Sequence, residues 1–206
     1  MLAIVVAMPL VLFPPVFDPV QSSCGVEPVT ATAAELPIVD KFSRRIDAYM
    51  EIHNNVERRL APQWVFDDPE DLFDAMGAMQ SGIRVARPDA RPGAVLTPDV
   101  SALIRARLVQ RLVACSYSIE DVLEFINEER PPGVRAPRVN EPFPWTAGSA
   151  MWPTLLAALP PLPPELQYRF FDRDLVVIDV HADLVVDVME NALPASPHPR
   201  HRWRFT

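Results

Sequence analysis

The chain has 206 residues, a formal net charge of −8 and a pI near 5.0, which excludes the broad basic face that a nucleic-acid partner rewards. Hydrophobic residues make up 49% and charged residues 22%, enough apolar burial to offset the entropy of ordering a core and to exclude wholesale disorder. Proline is the anomaly, with 24 against 6 glycines, and it favours short, stiff connections over flexible ones.

Leu2 to Phe13 is apolar apart from Pro9, the length of a signal-peptide core and too short for a comfortable membrane span. No Lys or Arg precedes it, the first being Lys41, and prolines at 9, 14, 15 and 19 interrupt it. Residues 1–33 are therefore expected to be a signal peptide, or an N-terminal anchor with a spacer, standing apart from the fold. Cleavage is expected after Val20-Gln-Ser22 or Ala31-Thr-Ala33, and Ser22-Ser-Cys24 is a degenerate lipid-attachment box. Cys24 and Cys115 are the only cysteines. They suit either one disulfide outside the cytoplasm or, for Cys24, lipid attachment, while Cys115 taken alone continues an apolar stripe and reads as a buried thiol.

Residues 37–130 read as a helical domain. Apolar or semi-apolar residues at 39, 42, 46, 49, 53, 56 and 60 fall on one helical face. Asp68-Pro69-Glu70-Asp71 opens a second helix, with a cap, a proline suited to the first turn and acids matching the helix dipole. Leu72, Met76, Met79 and Ile83 are its buried stripe. Thr97-Pro98-Asp99 opens a third helix with Val100, Ile104, Leu108, Leu112 and Cys115 inward and Arg105, Arg107 and Arg111 flanking. Ser118 with Asp121 caps a fourth, shorter helix. Four amphipathic helices on short loops predict a bundle-like arrangement.

Residues 131–164 form a proline-rich linker with room for one short helix around Met151 to Leu159. It is expected to lie extended across the bundle, anchored by Phe143, Trp145 and Trp152. From 165 to 194 the pattern changes to short β-branched runs with turns at Asp172-Arg173 and Ala182-Asp183, predicting a three-stranded antiparallel meander packed on the helical domain. Its middle strand is apolar on both faces and must be covered on both. Residues 195–206 read as a disordered tail, whose basic stretch from Arg200 to Arg204 is a solvated end. The fold class is thus α+β, mainly α, with a small C-terminal β-meander.

Arg138 to Trp145, Leu155 to Pro163 and Tyr168 to Asp187 together resemble a group of uncharacterised, signal-peptide-bearing exported bacterial proteins. The resemblance runs from about Pro37 to Pro194. It implies a periplasmic or secreted protein and carries no activity with it.

Asp179-Val-His181-Ala-Asp183 is the one cluster that mixes a histidine with carboxylates at alternate positions, which share a face on a strand. Such a cluster is more often a capped turn beside a half-exposed histidine than a ligand set, so Asp179, His181 and Asp183 are carried only as binding candidates, with no metal ligand and no cofactor assigned. His53 lies on the buried stripe of the first helix with Glu57 four residues on, as a core histidine does. No nucleophile elbow, phosphate loop or His-Glu-x-x-His pair is present, so no catalytic residue is assigned and the reading leans away from an enzyme. The sequence thus points to a non-enzymatic extracytoplasmic binding or interaction module using the proline-rich strip and the hairpin. Its partner, an unknown protein or envelope component, is not a nucleic acid, and a membrane role follows only if the N-terminal segment is retained or Cys24 is lipidated. The alternative is a periplasmic metal-handling protein or hydrolase built on Asp179, His181 and Asp183, with His53 as a further candidate member.

Overall fold

A computed structural model describes residues 24–60, 68–128, 130–146 and 148–195. The apolar run from Leu2 to Phe13, expected to be a signal-peptide core, and the basic stretch from Arg200 to Arg204 lie outside the described residues. Among those residues, no helix is long and apolar enough to cross a membrane.

The four long helices form where their punctuation places them: α1 (Leu36–Leu60), α2 (Pro69–Ala86), α3 (Pro98–Ala114) and α4 (Ile119–Asn127). Asp68 caps α2 by accepting from the Glu70 amide, and Ser118 caps α4 by accepting from the Asp121 amide, each satisfying a donor that a helix start leaves without a partner. α1 packs against both α2 and α3. Gly82 lets the first of these contacts close, because a Cβ there would meet Val56 Cγ1 at 2.5 Å. α4 departs from the expected bundle and lies against the sheet, next to β1 (Ser149–Ala150) and β2 (Leu166–Phe171).

The linker holds the single short helix α5 (Pro153–Leu156). The meander follows in the expected order, with β2 and β3 (Asp174–Asp179) joined through Asp172 and Arg173, and β4 (Leu184–Met189) after a turn at 180–183. The sheet has four strands rather than three, in the order β1-β2-β3-β4 and antiparallel throughout, because the linker adds the two-residue β1 to the β2 edge.

Both faces of β3 are buried, as its composition demands. Leu175 and Val177 join a large cluster with Ile46, Tyr49, Met79, Ile83 and Ile104 of the helices, so helices and sheet share one core. Val176 and Ile178 face the other way, with Val185, Phe171 and Phe143. That second face accounts for the first half of the linker, which crosses the far side of the sheet through Phe143, whereas α5 and Leu159 pack on the helical side, against α3, as expected. Asn140 donates its amide to the Val185 carbonyl, and Val185 donates back to the Glu141 carbonyl, both at 2.9 Å. Removing the second apolar face of the sheet from water is the physical reason for this path.

Residues 24–33 also depart from expectation, because they are part of the fold. Cys24 is disulfide-bonded to Cys115 at the end of α3. Arg111 donates to the Gly25 and Glu27 carbonyls, and Val29 donates its amide to the Ala157 carbonyl at 2.8 Å. Cys115 is thus half of a cross-link and not a buried thiol, and the same bond occupies Cys24. Arg107, expected on a flank, is buried and makes a two-point pair with Glu35, both distances 3.1 Å.

A β-bulge in the β3–β4 pairing, at Val177/Ile178, orients a second buried acid. Val186 and Met189 both join the helix-facing core, with Asp187 between them. The Asp187 carboxylate accepts from the amides of Gly93, Val95 and Leu96 at 2.7–2.8 Å. It pins the α2–α3 connection to the sheet by giving buried amides an acceptor.

Candidate functional site

Two expectations from sequence meet at one point. His53 faces inward from α1, and Asp179 ends the face of β3 that carries Leu175 and Val177. The His53 Nδ1 and Asp179 Oδ2 atoms are 2.6 Å apart, with both side chains wholly buried. Tyr49, one turn before His53, donates its hydroxyl to the same Oδ2 at 2.7 Å. The other oxygen, Oδ1, accepts from the backbone amides of His181 and Ala182, each at 3.0 Å. One carboxylate thereby ties α1 to the β3–β4 turn, and it sets His53 with Nδ1 toward Asp179 and Nε2 away from it.

Around Nε2 stand two further groups. Glu57, on the next turn of α1, places Oε2 3.8 Å from His53 Nε2 and Oε1 3.5 Å from His181 Nδ1. The two imidazole rings are 5.5 Å apart between centroids. Ligand-type atoms of His53, Glu57 and His181 all lie within 4.8 Å of one another. His53 is wholly buried, whereas Glu57 and His181 are each about a third exposed, 29% and 32%, and form the outer side of the cluster.

The electrostatics follow from this arrangement. Burial works against the His53 imidazolium, but the hydrogen bond and charge of Asp179, with Glu57 and Glu165 behind, outweigh it and raise the His53 pKa above its ordinary value. Burial and the neighbouring Asp179 push the Tyr49 hydroxyl well above the usual tyrosine range, so it stays a donor. The Arg87 guanidinium lies over the Tyr49 ring at 5.0 Å, a cation–π contact.

Of the binding candidates, Asp179 and His181 are brought to this point and Asp183 is not. β3 ends at Asp179, so His181 and Asp183 stand in the turn and not on a shared strand face. Asp183, at φ 45°, accepts from the Trp145 indole N–H at 2.6 Å, and burial raises its pKa. Trp145 is therefore only part of an anchor. Phe143 is buried, Trp152 packs edge-on to Tyr117 at 4.9 Å, and Trp145 stays 42% exposed. Glu57 was already paired with His53 by its spacing, whereas Tyr49 was read only as part of the apolar stripe; 49, 53 and 57 follow one another around a single helical face.

The described partners of His53 are two carboxylates, Asp179 and Glu57, and both cysteines are joined in the disulfide.

A second feature is a groove of about 940 Å³. One wall is the 26–31 segment, the other is α5, Pro160–Leu162 and the start of β2, and Met151, Leu156 and Tyr168 contribute apolar surface. Arg107 and Arg169 are its charged residues among the described lining residues. Arg107 is paired with Glu35 through two of its donors. Arg169 donates to Gln167 Oε1 at 2.8 Å, sits 5.5 Å from the Trp145 ring centre, and has its pKa lowered by burial.

No family model matches the chain, and neither the curated proteins nor the solved structures contain a match.

Proposed function

We propose that this protein is an extracytoplasmic, non-enzymatic binding protein, and that its ligand is an elongated apolar molecule with an anionic end, such as a fatty acid, held in the groove between the N-terminal segment and the proline-rich strip. The observation that carries the reading is the groove itself. Its volume of about 940 Å³ is that of a small-molecule site, about 300–1,000 Å³. An acyl chain would lie along Met151, Leu156 and Tyr168, and its carboxylate would offset the cost of burying the Arg169 charge.

The compartment is supported by chemistry. A disulfide spanning 91 residues persists where thiols are oxidised, in the periplasm or outside the cell. It also gives the proline-rich strip a fixed facing wall, since Val26, Pro28, Val29 and Ala31 follow Cys24 directly. Cleavage near residue 22 retains this wall, whereas cleavage near residue 33 would remove it.

Displacement of an environment-sensitive fluorescent fatty acid by unlabelled palmitate tests the reading on the oxidised protein. Saturable 1:1 binding, weakened about tenfold by Arg169→Gln and by reductant, is expected. Palmitate and hexadecanol binding equally would remove the anionic end from the proposal, and no saturable binding of either would remove the ligand class. Export is tested separately, by the mass of the mature protein in the host envelope fraction.

A further inference from the structure

We infer that His53, Glu57 and His181 form a binding site for one divalent transition-metal ion of the zinc type, with Asp179 as the outer carboxylate that orients His53. The site shares no residue with the groove, and the inference stands independently of the groove's ligand.

The distances carry the inference. Glu57 lies 3.8 Å from His53 Nε2 and 3.5 Å from His181 Nδ1. Both are long for hydrogen bonds, which run at about 2.7–3.2 Å. Each runs to a different Glu57 oxygen, and one donor atom from each of the three residues lies within 4.8 Å of the others, a little wider than the roughly 3.3–3.5 Å between donors in a tetrahedral zinc site, where each stands about 2.0–2.1 Å from the metal.

The second observation is His53 itself. Its side chain is wholly buried and its Nε2 has no hydrogen-bond partner, although buried polar atoms are nearly always satisfied and one that is not costs about 1–3 kcal/mol. Asp179 holds the Nδ1 side, and Tyr49 with two backbone amides holds Asp179. Nε2 is then the nitrogen turned toward Glu57. Metal-binding histidines are commonly fixed in this way, with the far nitrogen on a carboxylate that sets tautomer and ring orientation. The partial exposure of Glu57 and His181 gives an ion a route in from solvent.

The donor set selects the ion. Calcium and magnesium demand oxygen-rich shells of six or more ligands. Two imidazoles and one carboxylate suit zinc, cobalt, nickel or copper. Three protein ligands leave a fourth position open to water.

The test uses the full chain with its disulfide intact, stripped of metal and carrying His198→Ala and His201→Ala so that no other histidine competes. Isothermal titration with zinc is expected to give one site per chain, and cobalt is expected to give the visible bands of a four-coordinate ion. Zinc at about 100 times Kd should raise Tm by roughly 5–10 °C. Glu57→Gln and His181→Ala, on the exposed side of the cluster, should each weaken zinc binding at least tenfold while leaving the metal-free Tm within about 2 °C. No zinc-dependent change in heat, spectrum or Tm would overturn the inference, as would binding that both variants leave intact.

Discussion

Replacing Asp179 with alanine removes the one acceptor shared by four donors: the Tyr49 hydroxyl, the His53 imidazole and the amides of His181 and Ala182. All of this happens where Asp179 and His53 have no exposed surface, so water cannot substitute without opening the core. A buried donor left without an acceptor costs about 1–3 kcal/mol, but four such costs do not add. Local relaxation and relief of the acid's own desolvation bring the net loss to about 3–5 kcal/mol, as for other broken buried charge networks. In a chain of this length each kcal/mol lowers Tm by roughly 2–4 °C, so Asp179→Ala should melt about 6–20 °C below the wild type. Tyr49→Phe removes one donor and keeps the acceptor, and it should cost about 1 kcal/mol, or roughly 2–4 °C. Scanning calorimetry of both variants, with urea midpoints as a second measure, makes the comparison. If Asp179→Ala melts no lower than Tyr49→Phe, the carboxylate is not the hub of this network and the account of how α1 is held to the sheet is wrong.

Three further perturbations follow from the same structure. Gly82→Ala pushes a methyl into Val56 and should destabilise by about 1–3 kcal/mol; in urea titrations Val56→Ala added to it should return part of that loss, and strictly additive losses would show that the α1–α2 contact is not the cause. Changing both Cys24 and Cys115 to serine releases a 91-residue loop, for which the chain-entropy relation gives about 4–5 kcal/mol; a reduced wild type that melts with its oxidised form would contradict it. Arg107, with the Thr32 amide, holds the Glu35 pKa at about 2, below its ordinary 4.5. A depressed folded pKa means stabilisation fully present above pH 4.5 and lost as pH falls through about 2, so the Tm gap between wild type and Glu35→Gln should narrow across that window. A gap independent of pH would show that the pair contributes by packing alone.

The elements were legible because their signals are local. Pro69 and Pro98 sit at helix starts, Ser118 and Asp121 close a cap within four residues, and the β-branched runs are broken where Asp172-Arg173 and Ala182-Asp183 turn the chain. What was not legible was each element's cover. The α4 stripe, Val122 and Ile126, would bury equally well on helices or on a sheet, and it meets the sheet. The linker's prolines specify stiffness and not direction. Only the second apolar face of β3, Val176 and Ile178, demanded that something cross the far side, and Phe143 with its neighbours is the nearest chain able to do so. Arg107 shows a further limit. A guanidinium within an otherwise apolar register reads as a flank until Glu35, 72 residues earlier, is known to lie above it.

The cluster at Asp179 was half legible for a related reason. A strand face that reads Leu175, Val177, Asp179 and a helix face that reads Ile46, Tyr49, His53, Val56 each place a polar group where its neighbours are core. An acid or an imidazole survives there only with a partner, so each face announced a missing counterpart. Pairing by proximity in sequence chose Asp183, two residues from His181, over His53, 126 residues from Asp179. Two buried polar positions on facing elements satisfy each other at less cost than either can through a solvent-exposed turn, and that ranking follows from desolvation. Applied here it selects His53 and Tyr49 for Asp179 and leaves Asp183 to the Trp145 indole. It also leaves His53 Nε2, wholly buried and without a hydrogen bond, facing the Glu57 carboxylate at 3.8 Å with His181 beside it, and an ion shared by the three side chains would complete that arrangement.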